Sequence, residues 1–271
     1  MGISLKITGS FTDSSLPVVG YDAMLNGGTK FLMDLANPNL YPAQNATFVG
    51  AINGVPGGET ITKVGGGGTA PTFSGGGYYL PSGAGGTPGL RSATGSGCPY
   101  DLTKFPDTDE WLFTLWYKQS QAATDGNTRN LFGIADAASG AAQQFGITDT
   151  YASANGIINL RVAGVSLTGV CSGPVVGIGQ VAIHMRSDAS NRYLTCYRDG
   201  ARVNQVTTPK VAFLALSSGA LYVANAVSLS GVSVPTERTF YRASVENITQ
   251  SQRDPAQQVA KDFALNTGRF A

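Results

Sequence analysis

Apolar and polar residues alternate along most of this chain with a period of two, the spacing at which a strand presents its two faces. Ile3, Leu5 and Ile7 alternate with Ser4, Lys6 and Thr8, which predicts a first strand over residues 3–11. Residues 30–35 predict another, ended by Asn37-Pro38-Asn39, where proline lacks a donor and restricts the residue before it. In 111–118, Trp111, Phe113, Leu115 and Tyr117 share one face and Leu112, Thr114, Trp116 and Lys118 the other. Both faces are rather apolar, as suits a strand inside a two-layer sandwich. Shorter candidates at 60–64, 78–80, 130–135, 142–147, 157–162, 165–170 and 220–224 are separated by Gly, Asn, Asp and Ser clusters. Asp199-Gly200 stands between residues 193–198 and 201–206 and predicts a type I′ hairpin, whose central residues both need positive φ. The period changes only near the end. Asp254 is an N-cap candidate, Pro255 the first helical residue and Gly268 the residue beyond the helix, with Ala256, Val259, Ala260 and Phe263 as the inward stripe.

The order of strand, Tyr197-Arg198-Asp199-Gly200 hairpin, strand, then Phe240-Tyr241-Arg242-Ala243-Ser244-Val245-Glu246-Asn247 and a closing helix resembles the laminin-G-like, concanavalin A-like lectin/glucanase jelly rolls. Residues 72–80, with Phe73, Gly75 to Gly77 and Tyr78-Tyr79, are similar to that family's phenylalanine–glycine–aromatic segment, and 110–118 to its central tryptophan strand. The resemblance covers residues 30 to 267. It implies an all-β fold, a two-layer antiparallel β-sandwich with one short C-terminal helix over 30–271 and Gly-rich loops at 50–97. Residues 1–29 lie outside it and are expected to add an edge strand or an arm that contacts a neighbour in an assembly. Many such domains sit in bacteriophage virion proteins. The resemblance therefore implies a non-enzymatic structural protein exposed on a tailed phage particle, at the tail tip, baseplate or fibre or as capsid decoration. The partners implied are other virion proteins, copies of the chain itself (a trimer being the first expectation) and host surface polysaccharide. Two alternatives stand beside it: a free lectin-like carbohydrate-binding module, and a divergent glycoside hydrolase.

Composition bears on this choice. Charged residues make up 13% of the 271 positions, glycine fills 36 of them, and the formal charge is +1. A surface with so little charge gives weak repulsion between copies, which favours life in an assembly. No basic, apolar, small-residue leader opens the sequence and no apolar run approaches a membrane span, so synthesis in the host bacterial cytoplasm without insertion is expected. Cys98, Cys171 and Cys196 form an odd set with no short-spaced pair, which predicts buried free thiols. Arg186, Arg192, Arg198 and Arg202 are interleaved with Asp188 and Asp199, a pattern of hairpin ion pairs and not of nucleic-acid binding.

Candidate chemistry is sparse. The nearest thing to a glycosidase carboxylate pair is Asp107-Thr108-Asp109-Glu110, but it precedes its strand beside Pro106 and lacks the alternate-position spacing. His184 is the sole histidine and lies inside an apolar strand, so no triad is assembled around it and a structural role is expected. No catalytic residue is assigned. The resemblance implies Ca²⁺ at sandwich rims as the one candidate cofactor, with Asp107, Asp109, Asp125, Asn127 and Asp149 as donors; their loose spacing equally fits Asx-turns, and no cofactor is the first expectation. Sugar recognition by a lectin-like rim would use Tyr78, Tyr79, Tyr100 and Tyr151.

Overall fold

The computed structural model describes residues 22–44, 50–55, 57–64, 67–68, 72–81, 84–85, 89–94, 98–119, 128–136, 143–150, 156–173, 177–224 and 238–270. In chain order the strands are β1 Thr29–Asp34, β2 Ala51–Ile52, β3 Thr60–Val64, β4 Gly67–Gly68, β5 Thr72–Ser74, β6 Gly77–Leu80, β7 Ala84–Gly85, β8 Gly89–Arg91 and β9 Trp111–Gln119. They continue as β10 Thr128–Asp136, β11 Gln143–Thr150, β12 Ile157–Val162, β13 Val165–Ser172, β14 Gly177–Ser187, β15 Asn191–Arg198, β16 Ala201–Pro209, β17 Gly219–Ala224 and β18 Arg238–Asn247, followed by helices α1 Ile248–Ser251 and α2 Pro255–Asn266. The strand proposed over residues 3–11 lies outside the described residues, as do most of residues 1–29.

One sheet runs β16-β15-β14-β9-β18-β6-β5, and β1 joins it by pairing with the second half of β18. The other runs β13-β12-β11-β10-β17-β8-β3-β2. Every pairing between these strands is antiparallel, and the two sheets close face to face, so the expected two-layer β-sandwich with a C-terminal helix is the fold. Phe113 of β9 stacks on Phe145 of β11 across the interior at 3.7 Å between ring centroids. Phe132, Ile134, Ile147, Leu160, Leu115, Val181, Ile183 and Val245 fill the same core. Near one end an ion pair spans the sheets, from Arg238 of β18 to Asp149 of β11 at 3.0 Å, with both side chains buried. At the hairpin Asp199 and Gly200 have φ of 50° and 82°, as the type I′ reading requires. None of the described helices is long and apolar enough to cross a membrane.

The outer face of β9 is apolar because α2 covers part of it. The predicted helix cap holds, with the Asp254 side chain accepting from the Gln257 N–H and Pro255 in the first turn. The inward stripe is corrected: Ala256 and Ala260 are exposed, and the buried face is Gln258, Val259, Asp262 and Asn266. Its polarity matches what lies beneath. One oxygen of Asp262 accepts from Trp116 Nε1 (2.7 Å) and Gln180 Nε2 (2.8 Å), the other from Arg242 Nε (3.1 Å) and Asn266 Nδ2 (3.1 Å). Arg242 is also held by Asp22 and by Asp34, which Arg269 reaches too. Burial alone would weaken the charge on Arg242, but Asp262, Asp22 and Asp34 outweigh it and push its pKa up.

The expectation of three free thiols is also corrected. Cys171 of β13 and Cys196 of β15 form a disulfide that ties the edge strand of one sheet to the other sheet, and only Cys98 stays a buried free thiol. The two partners are 25 residues apart and meet only because β13 folds beside the β15–β16 hairpin, so no local spacing announces them.

Candidate functional site

A cleft opens where the start of β1, the β2–β3 turn and the loop before β9 meet. It encloses about 650 Å³ and is lined by Asn26, Thr29, Lys30, Asn53, Glu59 and Tyr100, with the backbone of Gly27, Gly57 and Gly58 at its rim. Sequence dictates the turn. Asn53 N–H donates to the Glu59 carbonyl and Gly58 N–H to the Val55 carbonyl, closing a tight loop. A Cβ at Gly58 would fall 2.7 Å from that of Asn53, and Gly57 has φ 72°, so the Gly-Gly pair is what lets Glu59 return toward the cleft. The loop is pinned to β1 as well, since Gly54 N–H donates to the Leu32 carbonyl and Leu32 N–H to Asn53 Oδ1.

Tyr100 comes from the other wall. Its loop is fixed by Asp101, which caps the 3-10 turn at Leu102–Lys104 and accepts from Gln144 Nε2 at 2.6 Å, while Lys104 Nζ donates to the Cys98 carbonyl. The Tyr100 ring meets Phe31 edge to face, and its hydroxyl lies on the cleft floor. There Asn53 Nδ2 donates to Tyr100 Oη (2.7 Å), and Tyr100 Oη donates to Glu59 Oε1 (2.5 Å). Burial first, and the neighbouring Glu59 carboxylate second, push the Tyr100 pKa far above the ordinary phenol value. The relay therefore runs one way at neutral pH, amide to phenol to carboxylate. Glu59 Oε1 accepts from Tyr100, and among the described residues no hydrogen bond is made to Oε2. Neither Glu59 nor Lys30 has an ion-pair partner among the described residues. Such a cleft can accept hydrogen bonds from ligand hydroxyls at Glu59 and donate at Lys30.

Of the three described tyrosines expected on a sugar-binding rim, only Tyr100 lines this cleft, and it is buried. Tyr78 is fully buried in the sandwich core, which leaves its ring no face for a sugar. Tyr79, the next residue on β6, points the other way and is half-buried. Tyr151 lies outside the described residues. The proposed calcium donors do not come together. Asp107 is paired with Arg192 and Lys210, Asp109 accepts from Asn247 Nδ2 at 2.7 Å, and Asp149 belongs to β11 and pairs with Arg238. These three do not fit a Ca²⁺ shell, and among the described residues no group of three or more His, Cys, Asp or Glu side chains could hold a metal. Asp125 and Asn127 lie outside the described residues.

His184, expected to be structural, is buried on the outer face of β14 with Nε2 2.7 Å from Glu110 Oε2. Of the expected hairpin ion pairs only Arg198–Asp199 forms; Arg186 lies over the Tyr193 ring, Arg202 donates to Gln205 Oε1, and Arg192 is buried, paired with Asp107 and with its guanidinium 4.2 Å from the centroid of the Phe213 ring. The cleft residues Lys30, Asn53 and Glu59 escaped sequence reading. Gly57-Gly58-Glu59 was the available signal, a turn that delivers a carboxylate.

Fold and cleft together define a two-layer antiparallel β-sandwich with a short C-terminal helix and an open cleft beside β1. No protein-family model matches the chain, and no curated protein matches it in sequence. Solved structures do match. Trypanosoma rangeli sialidase in complex with sialic acid superposes with a TM-score of 0.59 at 12% identity, over 95% of this chain and 37% of that one. The same sialidase as a covalent intermediate with 2,3-difluorosialic acid gives 0.57 at 11%, over 90% and 34%. A structure described as "Cell entry of botulinum neurotoxin type C is dependent upon interaction with two ganglioside molecules" gives 0.53 at 8%, over 88% and 51%. The chain thus spans about a third of the sialidase chains and about half of the toxin chain. At these identities the likeness shows the fold alone. It nevertheless corrects the expectation of a non-enzymatic protein, because sialidases carry this sandwich and the fold is no argument against catalysis. The three structures named are not particle components by their descriptions, so the expected phage role gains nothing from them.

Proposed function

We propose that the chain is a carbohydrate-binding β-sandwich module whose sugar site is the Lys30–Glu59–Tyr100 cleft. The observation that carries this reading is the Asn53–Tyr100–Glu59 relay, which fixes a buried phenol against a carboxylate at the floor of a 650 Å³ opening. A sugar presents adjacent hydroxyls, and a carboxylate with one oxygen held from behind is a preorganised acceptor for them. Lys30, its Nζ 5.8 Å from the Phe105 ring centroid, also lines the opening, so glycans that carry a carboxylate as well as hydroxyls suit the cleft best. The neighbours lend support at the level of ligand class, since one was solved with sialic acid and another is described as interacting with gangliosides. Placement of the module on a phage particle has no comparable support.

A glycan array with the purified protein, followed by calorimetry on the best hit, tests the proposal. Binding is expected to fall by roughly tenfold in Glu59→Gln and in Lys30→Ala with thermal stability unchanged. Binding untouched by both substitutions, or none on an array that includes sialylated and uronate glycans, would overturn it.

A further inference from the structure

A second opening, of about 350 Å³, lies on the outer face of β9, between the C-terminal end of α2 and the β15–β16 hairpin. Trp116, Ile178, Asp199, Phe263, Thr267 and Phe270 line it. The aromatic part is rigid. Phe263 stacks on Trp116 at 5.7 Å and 8° between planes, Phe270 meets Trp116 edge to face at 5.3 Å, and Tyr241 backs Phe270 at 4.9 Å. Trp116 is held from behind by Asp262, and Gln180 links that carboxylate to the hairpin by accepting from Gly200 N–H. Phe263 and Ile178 keep part of their surface open to the cleft.

Its charges are Asp199, with Arg198 beside it, and Arg269, whose guanidinium lies 5.6 Å from the Phe270 ring centroid. Asp199 uses one oxygen to accept from the Gln180 N–H, and its other oxygen lies 3.5 Å from Arg198 Nε. Arg198 keeps this ion pair through Nε while its Nη1 donates to Ser172 Oγ and the Gly173 carbonyl. The C-terminal end of α2, the negative end of its dipole, forms the other rim at Thr267 and Gly268. Apolar rings beside a carboxylate and helix carbonyls favour a ligand with a C–H face and several O–H or N–H donors.

From this we infer that the cleft is a second sugar subsite, selective for a neutral pyranose or an amino sugar, with the ring against Phe263 and Ile178 and a hydroxyl pair on Asp199. It rests on its own geometry and differs from the Glu59 cleft in charge preference, so the module reads two chemically distinct sugars. Trp116 reports on occupancy: the only other tryptophan, Trp111, is buried in the core against Phe105.

Tryptophan fluorescence is titrated with methyl α-glucoside, methyl α-galactoside, glucosamine and glucuronate up to tens of millimolar. At least one neutral or amino sugar is expected to change the emission saturably, and glucuronate is not. Asp199→Asn keeps the acceptor for Gln180 N–H and suits the type I′ turn, yet removes the charge; it is expected to weaken the response roughly tenfold. Glu59→Gln is expected to leave it unchanged, so this subsite and the proposed main site fail separately. No saturable response to any neutral or amino sugar, an equal response in Asp199→Asn, or preference for glucuronate would overturn the inference.

Discussion

Replacing Asp262 by Asn changes one atom in the polar seam under α2, and the structure sets the cost. The carboxylate accepts four hydrogen bonds, two on each oxygen, from Trp116, Gln180, Arg242 and Asn266. An amide offers one oxygen. Keeping that oxygen toward Arg242 and Asn266 turns an NH₂ group against Trp116 Nε1–H and the Gln180 amide, leaving two buried donors without acceptors. Gln180 cannot flip to compensate, because its own oxygen accepts from Gly200 N–H at 3.0 Å. Each orphaned donor costs about 1–3 kcal/mol, and Arg242 loses a charged partner, so the total is about 3–5 kcal/mol, the range found when one member of a buried ion pair is removed. Guanidinium unfolding at neutral pH, followed by tryptophan emission, measures it. If α2 detaches before the sandwich melts, the global loss is capped at the docking free energy, and amide exchange over residues 255–266 rises instead. A loss below about 1 kcal/mol with exchange in α2 unchanged would refute the claim that this seam, and not apolar packing, holds the helix.

The disulfide and the histidine give two further expectations. Denatured without reductant, the protein exposes one alkylatable thiol, Cys98, and after reduction three; serine at both Cys171 and Cys196 lowers stability by about 3 kcal/mol, the entropy of closing a loop of this length. Three thiols without reduction would sink that reading. Burial lowers the His184 pKa below the ordinary 6.5, while the Glu110 hydrogen bond opposes the shift. The unfolded chain therefore takes up the proton first as pH falls. The His184 contribution is full above about pH 6.5 and is lost as pH drops from there through the lower folded value, below which it is flat. His184→Gln should remove that slope, and Glu110→Gln should carry it to lower pH; a His184→Gln stability profile that parallels the wild type would show the wrong sign or no linkage.

What could be foreseen from sequence was what depends on near neighbours. Asp199-Gly200 fixes its own turn, and Asp254-Pro255 fixes its own cap, because the partners are within a few residues. The alternating faces of Trp111–Gln119 gave a buried strand, but not the reason its outer face is apolar, since α2 lies more than a hundred residues away. Long-range partners decided every correction. The α2 stripe looked like Ala256, Val259, Ala260 and Phe263 because hydrophobic periodicity assumes an apolar seat, and here the seat is Arg242, Gln180 and Trp116. The tyrosines show the same limit from the other side. Neighbouring Tyr78 and Tyr79 are chemically identical in the sequence, yet the pleat buries one and half-exposes the other. At the cleft, Glu59 looks like any turn carboxylate until Tyr100, 41 residues on, donates to it from the opposite wall. In a sandwich whose surface carries so few charges, a buried partner is what separates a carboxylate built into a site from one that is merely solvated. That criterion picks out Glu59 through Tyr100, and it removes Asp149, whose buried partner is a compensating Arg238.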